Sequence, residues 1–184
     1  MGIINKIWKC IMKRQNPMRY ARKMGVVLGE NCRLIGLPDW GSEPWLISIG
    51  NHTEVSFDVA FITHDGATWC FRDQDEYKGT LKFGRIRIGN NCFIGARSTI
   101  LPGVTIGDNS IVAVGAVVNK SIPSGEVWGG VPAHYIMKTK DYADKCKENT
   151  PIYDLENYRK NFREEVNLIC DRMEHSMKKM EKHI

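Results

Sequence analysis

The chain of 184 residues is 42% hydrophobic and 26% charged, a composition typical of an ordinary globular protein with one main domain. No apolar run approaches the ~18 residues of a membrane-spanning helix, and lysines spread through the N-terminal apolar stretch argue against a signal peptide. The net charge is +5, but seven basic residues and no acidic residue precede Glu30, so the rest of the chain carries −2 and gives no support for nucleic-acid binding.

The cysteine pattern indicates a reducing compartment. Six cysteines are scattered without a Cys-x-x-Cys pair, which argues against both a zinc site and a disulfide framework. We therefore expect a cytoplasmic protein that requires no metal.

Residues 1–25 form the first predicted segment, a basic amphipathic helix. Its apolar side chains follow one stripe: Ile3, Ile4, Ile7, Trp8, Ile11 and Met12. Two interpretations are open. The stripe packs onto its own domain or a neighbouring subunit, or the helix makes a weak contact with an anionic membrane surface. The low specificity of such patterns favours packing.

Residues 26–138 are dominated by a six-residue repeat. Every sixth position is apolar, at Ile49, Val55 and Phe61 and then at Ile88, Ile94, Ile100, Ile106, Val112 and Val118. The residue four places later is smaller and has the same parity, so on a strand both side chains point to one face. This period predicts an all-β fold, a parallel β-helix in which three hexads close an 18-residue turn. Gly-Asn and Gly-Asp pairs tolerate the left-handed backbone that its corners need.

Two interruptions break the repeat. The first, Leu37 to Trp45, is rich in proline, glycine and tryptophan, and includes Glu43. The second is a loop excursion over residues 64–85 that carries Trp69, Phe71, Tyr77 and Phe83. Loops of this length are usually functional or disordered, and the four aromatic residues argue against disorder.

Residues 139–184 are predicted to be a C-terminal helical extension. Asp154 is a predicted N-cap, and apolar residues at helical spacing follow it as far as Met180, which indicates one helix of up to thirty residues. Such a helix is more typical of a packing or oligomer element than of a site.

The run Ile100-Leu101-Pro102-Gly103-Val104-Thr105-Ile106-Gly107-Asp108-Asn109, together with Gly129-Gly130-Val131-Pro132-Ala133, resembles the left-handed β-helix (hexapeptide-repeat) acyltransferases. Within that family the chain is similar to the maltose and galactoside O-acetyltransferases, and most of all to the sugar acetyltransferases of capsular-polysaccharide and lipopolysaccharide gene clusters. The resemblance covers about residues 26–138. It implies a homotrimer that binds acetyl-CoA in a groove between subunits and transfers acetyl to a sugar acceptor, in capsule or surface-polysaccharide biosynthesis.

The segment Phe61-Ile62-Thr63-His64-Asp65-Gly66 matches the place where this family presents its catalytic histidine. A sugar hydroxyl is protonated near neutral pH, and an imidazole, with an ordinary pKa near ~6.5, is a suitable base for it. His64 would accept the hydroxyl proton and deliver it to the departing CoA thiolate. The group that orients His64 is open: Glu43, another carboxylate or a backbone carbonyl. Asp65 is adjacent, but neighbours on an extended segment point to opposite sides.

The resemblance also implies a set of CoA contacts: Ala96, Val114, Gly115, Asn119, Lys120, His134 and Lys138. Backbone groups at the first three positions would hold the pantetheine arm. The Lys120 ammonium would lie near the adenosine phosphates, where a positive charge suits a polyanion. The chain departs from its relatives after Gly-Val-Pro, where His134 and Met137 replace basic residues and Lys138 comes next.

Three alternatives come from other classes. The same base could N-acetylate an amino sugar or a xenobiotic. A metalloenzyme like the γ-carbonic anhydrases would need about three converging histidines, but His52 and His64 lie twelve residues apart, on different faces of the predicted coil. A non-catalytic assembly protein would not need the retained histidine and loop.

Overall fold

The computed structural model describes the backbone of residues 15–181 and the side chains of residues 15–175. Within that range the chain divides into two compact units, one ending at Thr139 and the other beginning at Lys140. The first unit contains all the described strands, which are β1 Val27–Leu28, β2 Arg33–Leu34, β3 Ile47–Ile49, β4 Glu54–Val55, β5 Ala60–Phe61, β6 Ile86–Ile88, β7 Phe93–Ile94, β8 Thr99–Ile100, β9 Thr105–Ile106, β10 Ile111–Val112, β11 Val117–Val118, β12 Glu126–Gly129 and β13 His134–Lys138.

The strands form three sheets that the chain visits in rotation. The sheet orders are β1-β3-β6-β9, β2-β4-β7-β10-β12-β13 and β5-β8-β11. All pairings are parallel except the last, because β13 turns back antiparallel onto β12. A chain that moves to a new sheet after every short strand, and returns to the first in parallel register, coils around a common axis.

The register follows the hexads. Ile88 pairs with Ile106, Ile94 with Val112 and Ile100 with Val118, each 18 residues apart. The long excursion does not disturb this arrangement, since Ile49 pairs with Ile88 across 39 residues, which is one turn plus the excursion. The predicted 18-residue turn is therefore confirmed after the excursion. Before the excursion, Leu28 pairs with Ile49 across 21 residues, because the first interruption lengthens that turn.

The interior of the coil is filled by the two predicted hexad positions. The large apolar side chains at the first position are at most 4% exposed from Ile49 through Val118. The smaller residues four places later are at most 3% exposed: Thr53, Val59, Cys92, Ser98, Val104, Ser110 and Ala116. Their hydroxyl groups are satisfied by corner carbonyls, as where Ser98 Oγ donates to the carbonyls of Gly95 and Ala113. Burial at these positions confirms the predicted large–small alternation.

The corners use the left-handed backbone that the sequence predicts. Asn31, His52, Asn91 and Asn109 have φ between 52° and 58°. Three of these side chains form a ladder between turns: His52 Nδ1 lies 2.8 Å from Asn91 Oδ1, and Asn91 Nδ2 donates to Asn109 Oδ1 at 2.8 Å. Gly89 is needed beside such a corner, because a Cβ there would lie 2.7 Å from the backbone nitrogen of Asp108.

The N-terminal helix differs from the prediction. Helix α1 spans Pro17–Met24, and Asn16 caps it by accepting from the Arg19 N–H at 2.9 Å. Asn16 is not helical, so the continuous helix predicted over residues 1–25 is interrupted there; residues 1–14 lie outside the described residues. The asparagine side chain satisfies an amide of the first turn, which starts a new helix at Pro17.

The C-terminal helices also differ from the single helix predicted. Helix α2 spans Thr139–Asn149, α3 spans Leu155–Lys160 and α4 spans Phe162–Glu181. Asp154 does cap α3, accepting from the amides of Glu156 and Asn157. The break comes at Asn161, which ends α3 with non-helical angles (φ −125°, ψ 53°). The all-β class therefore applies to the coil alone. No helix within residues 15–181 is both long and apolar enough to cross a bilayer.

Candidate active site

His64 lies where the long excursion leaves the coil, three residues after the buried Phe61 of β5. The two ends of the excursion are joined by a short antiparallel ladder. His64 bridges Phe83, the Asp65 N–H donates to the Lys82 carbonyl at 2.8 Å, and the Gly84 N–H donates to the Thr63 carbonyl at 2.9 Å. The backbone that carries His64 is thus held by both the coil and the returning strand.

Glu43 belongs to the first interruption of the repeat, which brings it next to His64. Asp39 pairs in parallel with Ala60, accepting from the Phe61 N–H and donating to the Val59 carbonyl, both at 2.8 Å. The next residue, Trp40, stacks on the Phe61 ring. Gly41 then turns with φ 64°, at a point where a Cβ would lie 2.7 Å from the Phe61 carbonyl oxygen. The interruption therefore runs beside the last strand before His64.

One carboxylate oxygen of Glu43 contacts two other side chains. Glu43 Oε2 accepts from Thr63 Oγ1 at 2.6 Å and lies 2.9 Å from His64 Nδ1. The Glu43 side chain is 17% exposed and that of His64 is 42% exposed. The Thr63 hydroxyl, followed by His64, lowers the pKa of Glu43 below its ordinary value. An ionised carboxylate only accepts, so Nδ1 carries the proton and the neutral imidazole has its lone pair on Nε2.

The Asp65 carboxylate forms its hydrogen bond and its ion pair with residues other than His64. Its Oδ1 accepts from the Ala67 N–H at 3.0 Å, capping a 3₁₀ helix over Gly66–Cys70, and its Oδ2 pairs with Lys82 Nζ at 2.8 Å. The Lys82 ammonium is the main cause of a lowered Asp65 pKa. Asp65 therefore ties the start of the excursion to its end, and Glu43 is the carboxylate that contacts the imidazole.

A small cavity of about 190 Å³ opens at the imidazole. Its walls include Glu43 and His64 together with Arg72, Leu81, Lys82 and Phe83 from the excursion. The Phe83 ring is tilted against the imidazole with centroids 5.6 Å apart, and 53% of Phe83 is exposed. The cavity thus combines an imidazole, an apolar surface, two cations and the carboxylates of Glu43 and Asp65.

The residues assigned to CoA by resemblance lie elsewhere on the coil. The Gly115 N–H donates to the Ala96 carbonyl at 2.8 Å, so these two positions stack on successive turns, and Val114 beside them is 71% exposed. Asn119 and Lys120 are exposed and follow β11 directly.

The other two assigned residues lie on β13. His134 is exposed, and its Nδ1 is 3.4 Å from the Pro132 carbonyl oxygen. Lys138 Nζ pairs with Glu126 at 2.6 Å and holds the pKa of that carboxyl below its usual range. A phosphate at Lys138 would therefore compete with Glu126 for the ammonium.

The residues that the structure describes contain no group of side chains that could bind the metal ion of a metalloenzyme. No three histidine, cysteine, aspartate or glutamate side chains converge there. His52 belongs to a corner ladder with Asn91, while His64 contacts Glu43.

Thr63, Arg72 and Lys82 were not assigned to the site from the sequence, and Phe83 was named only as an aromatic residue of the excursion. Thr63 had a usable signal, because it shares the parity of Phe61 and so points inward, and it is 1% exposed. No sequence pattern predicts that Lys82 and Phe83 lie beside His64, because their position depends on the path by which the excursion returns to the coil.

Comparisons with known proteins agree with this architecture. The family described as "Hexapeptide repeat of succinyl-transferase" matches residues 85–120. Protein CapG of Staphylococcus aureus is 43% identical over 157 residues, which is 84% of this chain and 90% of that protein. The galactoside O-acetyltransferase of Escherichia coli (strain K12) is 50% identical over 56 residues, but these cover only 30% of this chain and 28% of that enzyme.

Among solved structures, a maltose O-acetyltransferase from Clostridium difficile 630 aligns over 72% of this chain and 83% of its own, with 21% identity and a TM-score of 0.49. The repeat match and the near full-length similarity to CapG are the stronger findings. By these, the chain belongs to the hexapeptide-repeat acyltransferase family and is an enzyme of the acyl-transfer class.

Proposed function

We propose that this protein transfers the acetyl group of acetyl-CoA to a sugar hydroxyl, in the biosynthesis of a capsule or another surface polysaccharide, with His64 as general base. The observation that carries the proposal is the contact of Glu43 Oε2 with His64 Nδ1 at 2.9 Å, beside an open cavity. The similarity to a galactoside O-acetyltransferase and the resemblance to polysaccharide-cluster acetyltransferases support the choice of a sugar.

The chemistry follows from the tautomer. The lone pair on Nε2 takes the proton of the acceptor hydroxyl as its oxygen attacks the thioester carbonyl, forming the new C–O bond. The imidazolium that forms is stabilised by the Glu43 carboxylate on its other nitrogen. As the tetrahedral intermediate collapses, the C–S bond breaks and the imidazolium gives its proton to the thiolate. Backbone N–H groups of a neighbouring turn are suited to stabilising the oxyanion.

Acetyl-CoA acts here as a co-substrate. We place its pantetheine arm along Ala96, Val114 and Gly115, which lie on two successive turns. Val114 and Gly115 are exposed, and Ala96 is buried and would offer backbone groups. Asn119 and Lys120 follow on the same turn of the coil, and the exposed Lys120 ammonium suits a phosphate group. His134 and Lys138 lie farther along, with Lys138 shared by Glu126.

The proposal includes a left-handed β-helix assembled as a homotrimer. The cavity at His64, about 190 Å³, is smaller than the ~300 Å³ at which small-molecule pockets usually begin. Two substrates have to meet there, so a second wall is needed, and a neighbouring copy of the chain would supply it. Exposed apolar residues on the coil, such as Val114 and Val131, suit such an interface.

The direct test is thiol release from acetyl-CoA with a panel of sugars, amino sugars and chloramphenicol. His64→Asn should lower kcat by about 10²- to 10⁴-fold, the contribution typical of a general base, while CoA affinity measured by calorimetry is retained. The matched control is His52→Asn, because asparagine tolerates the left-handed backbone of that corner.

The outcomes separate the parts of the proposal. If no acceptor releases thiol and the protein has no affinity for CoA, the acetyltransferase assignment fails. If thiol is released only with amine acceptors, the enzyme acetylates an amine and not a hydroxyl. If His64→Asn turns over like the wild type, His64 is not the base.

A further inference from the structure

Arg72 brings a positive charge to the wall of the His64 cavity. It follows the 3₁₀ helix Gly66–Cys70, and its N–H donates to the Thr68 carbonyl at 2.9 Å. Thr68 is 7% exposed, so this turn is anchored. The guanidinium lies over the indole of Trp69, with Cζ 4.7 Å from the ring centroid. The Arg72 side chain therefore stacks on an indole at the cavity wall.

The charges around the cavity leave Arg72 without a carboxylate. Glu43 is shared by Thr63 and His64, and Asp65 pairs with Lys82. In the described part of the chain, no acidic side chain comes within 4 Å of the Arg72 guanidinium, and the indole is its neighbour instead. Stacking occupies one face of a guanidinium, while its in-plane N–H donors remain able to bind a carboxylate or phosphate in bidentate geometry.

We propose that the acceptor sugar of this enzyme carries an oxyanion, a carboxylate or a phosphate, which Arg72 binds while the hydroxyl to be acetylated lies at His64. The proposal rests on the acetyl transfer proposed above and names the acceptor class for the same site. Leu81 and Phe83, which are 67% and 53% exposed, give the cavity an apolar surface for the C–H face of the sugar ring.

The same cation could instead bind a phosphate of CoA, which makes the identity of its anion the point to be tested. Arg72 shares one cavity with the imidazole. The positions assigned to CoA instead follow β7, β10 and β11 or lie on β13. This placement favours the acceptor.

The experiment uses the full-length protein and two matched sugar pairs: galacturonate against galactose, and glucose 1-phosphate against methyl glucoside. Binding is measured by saturation-transfer NMR without acetyl-CoA, and thiol release is measured with it. The wild type should prefer one anionic member over its neutral partner, and Arg72→Gln should reduce that preference about 10- to 100-fold, as expected for loss of a charge-assisted hydrogen bond. The charge-matched control is Arg85→Gln, an exposed residue at the end of the same loop.

Each result decides between the possibilities. A preference for galacturonate assigns a carboxylate, and a preference for glucose 1-phosphate assigns a phosphate. Equal binding of anionic and neutral members by the wild type would overturn the proposal, as would an Arg72→Gln defect confined to the KM for acetyl-CoA. If no sugar causes thiol release, the proposed reaction fails. The preference for an anionic sugar can still be measured, because sugar binding is measured without acetyl-CoA.

Discussion

The indole of Trp40 stacks on the ring of Phe61 with centroids 5.0 Å apart and 11° between the planes. Trp40 is 6% exposed and Phe61 is fully buried, so the contact belongs to the core. Three residues after Trp40 comes Glu43, and three residues after Phe61 comes His64. This stacked pair therefore anchors the two segments whose ends meet as the carboxylate–imidazole contact.

Glu43→Gln should lower kcat by about 100-fold. The amide keeps the side-chain shape but removes the charge that fixes the tautomer of the neutral imidazole and stabilises the imidazolium formed from it. The KM for acetyl-CoA should stay within about twofold, since Glu43 is not among the residues assigned to CoA. The measurement is steady-state thiol release with both substrates varied. Glu54→Gln is the control, as Glu54 pairs with Arg33 on another sheet. Equal kcat for wild type and Glu43→Gln would remove Glu43 from the mechanism.

Thr63→Val should change the pH dependence. The Thr63 hydroxyl is the largest cause of the lowered Glu43 pKa, so its removal moves that pKa back up towards the ordinary 4.5. A carboxyl with a lowered pKa contributes stability above its unfolded-state pKa and loses it as the pH falls through the folded-state pKa. In the variant, Glu43 therefore takes up its proton at a higher pH during acidification.

As the pH is lowered, log kcat/KM of Thr63→Val should therefore begin its additional fall at a higher pH than that of the wild type. The measurement is a profile of kcat/KM from about pH 4 to 8. Near neutral pH Glu43 is ionised in both proteins, so the rates should converge. Thr105→Val is the matched control, an exposed threonine on β9. If the acid limbs of the two profiles superimpose, the Thr63 hydroxyl does not affect the pH dependence of catalysis through the pKa of Glu43.

Gly89→Ala should destabilise the coil. A Cβ there would lie 2.7 Å from the backbone nitrogen of Asp108, and backbone cannot move aside as a side chain can. Overpacking of this kind typically costs about 1–3 kcal/mol in free energy of unfolding. Gly66→Ala is the spatial control, because no atom lies within 4 Å of its Cβ position. Thermal unfolding of the two variants should differ clearly; an equal Tm would mean that the corner relaxes freely.

Ile100→Ala should cost about 2–5 kcal/mol in free energy of unfolding and Ile100→Val about 0.5–1.5 kcal/mol, because each removed methyl group leaves a cavity in a close-packed interior. Ile100 is fully buried in β8. Denaturant titration at fixed protein concentration gives both values. Losses below about 1 kcal/mol for the alanine variant would mean that the coil collapses around the gap.

The sequence predicted the coil well because its interior is built from local rules. Each hexad contributes one large and one small inward residue, as Ile94 and Ser98 do, and corner residues such as Asn91 adopt the left-handed backbone that asparagine tolerates. The helix boundaries were less predictable. A polar cap at Asn16 and a break at Asn161 depend on single side chains, and these interrupt an amphipathic pattern that by itself continues.

For the site, the sequence alone singled out His64, because its segment matches the place where the resembled family presents its catalytic histidine, and it left the orienting group open. Only the tertiary structure decided that group. Asp65 is the sequence neighbour, but its carboxylate pairs with Lys82, whereas Glu43 arrives from 21 residues away. The physical reason is that a repeat fixes the distance between its own positions by a constant period. An insertion has no period, and its path depends on long-range packing such as that of Trp40 on Phe61.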